Sequence, residues 1–205
     1  MKLTERVHRI LEKELHPGDL AIDATAGNGH DCLKIAQIVA PDGQLIAIDR
    51  QAQAIEASRH RLVEHRLAHL CQFIEDDHAK TLLSLGQQYA AQAKAIIFNL
   101  GYLPGGDKSI RTTSGTTLTA LNAVTRLLQP DGFLLITAYR GHEGGTEEAE
   151  VVAQWMHTFP GTVVCHEPDR TGELVPPILW VAQLKEHDPA APGVTSKNHP
   201  TPDER

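Results

Sequence analysis

Residues 20–31 read LAIDATAGNGHD, an apolar run that meets an acid at Asp23 and then a turn broken by Gly27 and Gly29. Glycine has no Cβ, so such a turn lets a ligand lie against backbone. Dinucleotides, phosphates and S-adenosylmethionine all use glycine turns after a strand, and they imply different chemistry. A dinucleotide site wants G-x-G-x-x-G, and here Cys32 stands where the third glycine belongs. A P-loop wants G-K-S/T after its glycines, and none follows. What remains is an acid just before the turn. An acidic rim stabilises a ligand carrying an ammonium and a sulfonium and repels a pyrophosphate. The plainer alternative is that Asp23 only holds the turn.

Outward from this stretch, short β-rich runs alternate with helical patterns. LAIDAT (20–25), LIAID (45–49), CQFIED (71–76), AIIFNL (95–100) and FLLITAY (133–139) read as strands, with 31–39, 51–67, 79–91 and 115–129 long enough for crossover helices. This is the rhythm of a parallel sheet covered by helices on both faces. Upstream, Leu3, Val7, Ile10, Leu11 and Leu15 form one helical stripe with Thr4 as its cap, and HPGD ends it. Downstream, a helix over 146–158 leads to TVVCHEP (162–168), a loop with Pro176 and Pro177, and ILWVAQLK (178–185). Parallel neighbours need a long crossover, so the last strand is expected to be antiparallel. Residues 186–205 are proline-rich and poor in large apolar groups, which predicts a disordered tail after one domain over 1–185.

Further acids fall at strand ends. Asp49 closes the second strand about twenty residues past the glycines, where a carboxylate can accept both ribose hydroxyls. Asp76 and Asp77 close the third, beside the place of an adenine. Asp49 and Asp77 also suit simple helix caps. In an open α/β sheet these tips converge on one crevice, and three acids at three successive tips favour a shared ligand.

Four segments, DATAGNGHD, NLGYLPGGDKSIRT, TTLTALNAVTRLLQPDG and AYRGHEGGTEEAE, closely resemble the family long called rRNA methylases, over about residues 1–185. The resemblance implies a class I methyltransferase fold: Rossmann-like α/β, with a seven-stranded, mostly parallel sheet and a reversed last strand. It implies S-adenosylmethionine as cofactor, held by Asp23, Thr25, Gly27, Asn28, Gly29, Asp31, Asp49, Gln51, Asp77, His78 and Asn99. Some members are tRNA methyltransferases acting on the aminomethyl group of a wobble uridine. Cys32 stands where threonine is more usual.

Methyl transfer from a sulfonium is an in-line displacement, so the protein chiefly aligns its reactants. Asn99-Leu100-Gly101-Tyr102 resembles the N/D-P-P-Y motif of amino-methyltransferases, with Leu-Gly replacing two prolines. The Asn99 carbonyl oxygen would accept an N–H of the target amine, and Tyr102 would stack on the base. An alkyl amine is mostly protonated at neutral pH and must lose a proton; Asp107, His142 and Tyr139 are the candidate acceptors. Lys108, Arg111, Arg140 and Arg170 each follow a strand end and are expected on the crevice rim, a patch suited to a phosphate backbone, with Tyr139 beside it. The histidines and arginines of 59–69 read as a solvated helix face. GGDKSIRTTSGTT reads equally as an anion cradle or a helix-capping loop.

A net charge of −7 argues against nonspecific coating of nucleic acid but leaves a local patch free to act. Three scattered cysteines, none in a C-x-x-C pair, give no zinc site or disulfide frame and fit a reducing, cytoplasmic compartment. No apolar run is long enough for a bilayer. The expected partner is tRNA or another RNA, with a homodimer possible. The rivals are an rRNA base methyltransferase, a small-amine methyltransferase and a non-catalytic nucleotide-binding module.

Overall fold

The computed structural model describes residues 3–107, 109–167 and 175–185. Seven strands form one sheet in the order β3-β2-β1-β4-β5-β7-β6. They are β1 (Leu20–Asp23), β2 (Gln44–Asp49), β3 (Cys71–Glu75), β4 (Ala93–Leu100), β5 (Leu128–Ala138), β6 (Gly161–His166) and β7 (Ile178–Leu184). β1 to β5 pair in parallel, and β7 is antiparallel to both β5 and β6. The last strand is therefore reversed, as its short connection requires. The helices are α1 (Leu3–Glu14), α2 (His30–Val39), α3 (Ala52–Glu64), α4 (His78–Gln88), α5 (Ser114–Leu127) and α6 (Gly145–Met156).

Side-chain alternation sorts the central strands between two cores. Ile22, Ile46, Ile48, Ile96 and Phe98 face α4, α5 and α6. Ala21, Leu45, Ala47, Ala95 and Ile97 face α1, α2 and α3, where the smaller residues let those helices sit close. Both faces are covered, as a parallel sheet needs.

Two local expectations change. α1 already includes Leu3 and Thr4, so Thr4 is inside the helix rather than its cap. β5 starts at Leu128, five residues before the expected Phe133, because Gln129–Gly132 is accommodated as an irregularity opposite β4, with Asp131 at φ 58°. Lys108, Arg170 and the expected tail over 186–205 lie outside the described residues. Among the described residues no helix is long and apolar enough to cross a membrane.

Candidate active site

The carboxyl ends of β1, β2, β4 and β5 open onto a cleft of about 710 Å³. Thr25, Gly27, Asn28, Asp31, Asp49, Gln51, His78, Asn99, Tyr102, Arg111, Tyr139, Arg140 and His142 all line it, bringing most of the expected site residues together. Asp23, Gly29, Asp77 and Asp107 do not line it, and each has a different physical assignment.

The turn after β1 is held from below. Asp23 is fully buried; its carboxyl accepts Thr25 N–H at 3.1 Å and the Cys32 thiol at 3.1 Å. Burial, reinforced by the nearby Asp31 charge, pushes its pKa up to about 7. The direct ligand contact expected of Asp23 is thus corrected to the plainer role, a buried brace of the turn. Gly27 and Gly29 both have positive φ, 53° and 75°. A Cβ on Gly29 would lie 2.6 Å from Ser58 Cα, so this glycine admits α3 rather than a ligand. Ser58 in turn donates to the Gly27 carbonyl at 3.1 Å.

Asp49 stands at the tip of β2 with its two oxygens accepting Gly27 N–H at 3.0 Å and Gln51 N–H at 2.9 Å. Each oxygen keeps a second lone pair for a ligand hydroxyl. Asp77 instead caps α4, accepting Ala79 N–H at 2.8 Å, and lies 3.6 Å from Arg50. His78 lines the cleft beside it, 3% exposed and edge-on to Phe98. Burial lowers its pKa, and its buried Nε2 has no hydrogen-bond partner. A glycine turn, a paired carboxylate at the next strand tip and an orphan imidazole nitrogen fit an adenosine-bearing ligand.

Asn99, near the end of β4, is fixed at two points. Its backbone N–H donates to Thr25 Oγ1 at 2.7 Å, and its side-chain Nδ2 donates to Asp31 Oδ2 at 2.8 Å. The other Asp31 oxygen lies 2.7 Å from His8 Nε2 on α1. Asn28 reaches across to the Pro104 carbonyl, joining the glycine turn to the loop after β4.

The three proton-acceptor candidates separate on geometry. Asp107 accepts Ser109 N–H and Oγ–H at 2.8 and 2.7 Å, which holds its pKa down, and it stays outside the cleft. The Tyr139 phenol is pushed up by burial and then by Asp31, so it holds its proton more tightly. His142 remains. Its Nδ1 lies 3.0 Å from the Glu143 carbonyl, which can only accept. The hydrogen of that contact therefore sits on Nδ1, while Nε2 is buried and has no hydrogen-bond partner. Its ring meets Tyr102 edge-on, with centroids 5.7 Å apart.

Of the expected cationic rim, the two described members, Arg111 and Arg140, are both engaged within the protein. Arg140 donates to the Pro176 carbonyl through Nε and Nη2, at 3.0 and 2.8 Å, and pairs with Glu167 at 2.8 Å. That corrects Arg140 from a phosphate ligand to a clamp on the segment before β7. Arg111 pairs with Glu143 at 3.0 Å, but Glu143 is 85% exposed and can yield.

The model of the family described as "Putative rRNA methylase" matches residues 45–169, more than half the chain. This chain belongs to that family. A curated relative, the chloroplastic tRNA (mnm(5)s(2)U34)-methyltransferase of Arabidopsis thaliana, is 40% identical over 173 residues, 78% of this chain and 60% of the relative. The chain thus spans about 60% of that relative's length. Two solved structures are each 30% identical to it over 89% of its length. A "putative rRNA-methylase" of Clostridium thermocellum superposes with a TM-score of 0.82 over 97% of its own chain. A "putative methyltransferase" of Streptococcus mutans, solved in complex with SAH, superposes at 0.77 over 98% of its own. The fold of this rRNA-methylase family member is that of class I S-adenosylmethionine-dependent methyltransferases.

Two residues of the site escaped sequence reasoning. Glu148 on α6 is 1% exposed and accepts Thr112 Oγ1 at 2.7 Å and the Thr117 hydroxyl, tying the loop after β4 to α5. Burial raises its pKa. The available signal was its place on the buried stripe of α6, with Gly145, Ala149, Val152 and Met156. The other is His8, one helical turn from Thr4, which lines the cleft.

Proposed function

We propose that this chain is an S-adenosylmethionine-dependent N-methyltransferase of RNA, and that its acceptor is the 5-aminomethyl group of (2-thio)uridine at the tRNA wobble position. The observation that carries this reading is Asn99. Its amide is held by Asp31 with the nitrogen turned away, so the side-chain oxygen is the atom left to receive an amine N–H. The name of the Arabidopsis relative supports the finer choice of acceptor.

Gly27, Asn28, Asp49, Gln51 and His78 would hold the cofactor, with Thr25 and Asp31 shaping the wall beneath. The bound cofactor supplies an electrophilic methyl group on a sulfonium. Asn99 Oδ1 accepts one acceptor N–H and aims the nitrogen lone pair. To the His142 ring, which lines the cleft, we assign the proton that the aminomethyl group must shed. Tyr102 and Tyr139, 39% and 43% exposed, offer faces to the base. Arg111 guides the backbone after releasing Glu143. We place the protein in the cytoplasm on its three unpaired thiols.

The test is transfer of labelled methyl groups to tRNA isolated without the wobble methyl, followed by mass spectrometry of the nucleosides. Label should appear in a single wobble nucleoside of the wild-type reaction and vanish with Asn99→Ala. Label in rRNA and none in tRNA would overturn the acceptor assignment. Transfer to a free small amine, with neither RNA labelled, would overturn the RNA reading.

A further inference from the structure

We propose that His8, on the first helix, is a positioning residue for methyl transfer: through Asp31 it sets the Asn99 amide with its oxygen facing the acceptor amine. This rests on the reading above of Asn99 as the amine's hydrogen-bond acceptor.

An asparagine amide has two nearly isosteric orientations, and its surroundings choose between them. With the nitrogen inward and the oxygen outward, Asn99 accepts an N–H and leaves the amine lone pair free. Reversed, it presents its own N–H to that lone pair and blocks the attack. A carboxylate offers no donor, so Asp31 Oδ2, 2.8 Å from Asn99 Nδ2, enforces the first orientation.

Asp31 must itself be kept in place. Its side chain is 14% exposed, and its other oxygen meets His8 Nε2 at 2.7 Å, the side chain of His8 being 29% exposed. The remaining titratable groups around Asp31 repel it or leave it alone. Asp23 on β1, Cys32 on α2 and Tyr139 after β5 all feel its negative charge as unfavourable to their own ionisation. Among the described residues, the imidazole N–H is the partner of the carboxylate oxygen that Asn99 does not use. Without it, Asp31 gains by turning toward solvent, and the amide loses what selects its orientation.

The helix does not depend on this contact for docking. Val7 and Leu11 are buried in the core at 5% and 1% exposure, and Glu12 pairs with Lys34 of α2. Arg6 reaches His166 on β6 at 3.1 Å. A variant lacking the imidazole should therefore fold, and Gln in its place carries an N–H at nearly the position of Nε2.

His8→Ala and His8→Gln are compared with wild type in the tRNA transfer assay and by calorimetric titration with S-adenosylhomocysteine. For His8→Ala we expect kcat to fall by about tenfold to a hundredfold, with the tRNA KM and the S-adenosylhomocysteine Kd within about twofold of wild type. His8→Gln should recover most of kcat. Unchanged kcat in His8→Ala, no recovery in His8→Gln, or a loss matched by weaker S-adenosylhomocysteine binding overturns the inference. A second readout needs no substrate. The Asn99 side-chain amide signal in a ¹H–¹⁵N spectrum, assigned by its loss in Asn99→Ser, should move in His8→Ala and return in His8→Gln. A signal indifferent to His8 overturns the inference even if wild type transfers nothing to tRNA, an outcome that sinks the acceptor assignment instead.

Discussion

Replacing Asp23 with asparagine should remove a large pH-dependent cost from the fold. Burial raises this carboxyl from 3.8 to about 7, with the Asp31 and Asp49 charges adding to the effect and the Cys32 thiol and Thr25 N–H opposing it. The native state therefore keeps its proton where the unfolded chain has lost it. The group's stabilising contribution is complete below about pH 4 and is lost as pH climbs through about 7. Three pKa units at about 1.36 kcal/mol each amount to about 4 kcal/mol, of which about 3 kcal/mol falls between roughly pH 5 and pH 8. Asparagine keeps an oxygen for Thr25 N–H and cannot ionise. Urea unfolding of the ligand-free proteins at about pH 5 and pH 8 measures the effect. Relative to wild type, Asp23→Asn should gain about 3 kcal/mol on going from the lower to the higher pH. If the two proteins lose or gain stability in parallel across that range, Asp23 ionises freely and its description as a buried brace is wrong.

Gly29→Ala should destabilise by more than about 2 kcal/mol, combining the left-handed backbone cost with a Cβ 2.6 Å from Ser58 Cα, and thermal unfolding would read it. Equal stability would mean α3 can retreat from the turn. Glu148→Ala strands the buried Thr117 hydroxyl and removes an acceptor from the half-buried Thr112, and should cost about 1–3 kcal/mol, together with a fall in kcat from a loosened loop after β4. A variant as stable as wild type would show that the loop is anchored elsewhere. Arg111→Glu should weaken tRNA binding with a smaller salt slope, whereas Arg140→Ala should lower stability and leave that slope unchanged. Filter binding at several salt concentrations separates them, and a reduced slope for Arg140→Ala would restore it to the RNA surface.

The strand segments and the reversed β7 were legible because they follow from run length, spacing and connection length, which are properties of neighbours in sequence. The start of β5 was not. Pro130-Asp131-Gly132 has turn chemistry, yet Gly132 tucks between the Gln129 and Ala93 carbonyls, and only pairing with β4 makes the segment a strand. The acids divide the same way. Spacing places Asp23, Asp49 and Asp77 at strand tips, but side-chain direction decides use: Asp23 turns inward, Asp77 turns back onto α4, and Asp49 alone of the three lines the cleft. Arg140 was legible as a rim residue and illegible as a clamp, since Pro176 and Glu167 approach it from a distant part of the chain. His8 sits 23 positions from Asp31, so no local pattern announces their contact.

These reassignments give the cleft a consistent electrostatic design. Three carboxyls, Asp23, Asp31 and Asp49, crowd the end of β1 and the tip of β2. Asp49 accepts two backbone N–H groups, and Asp31 is bracketed by an imidazole and an amide. Asp23 has one N–H and a weak thiol donor, and burial pushes its pKa up to about 7. The carboxyl that binds its proton more tightly thus lies behind the wall, and Asp31 and Asp49 face the cleft. A cation entering the cleft meets carboxylate oxygens; a diphosphate meets the same oxygens, which repel it. The acid that first suggested a cationic ligand is therefore not its contact, yet the suggestion holds, because Asp31 and Asp49 present the charge that Asp23 only supports from below.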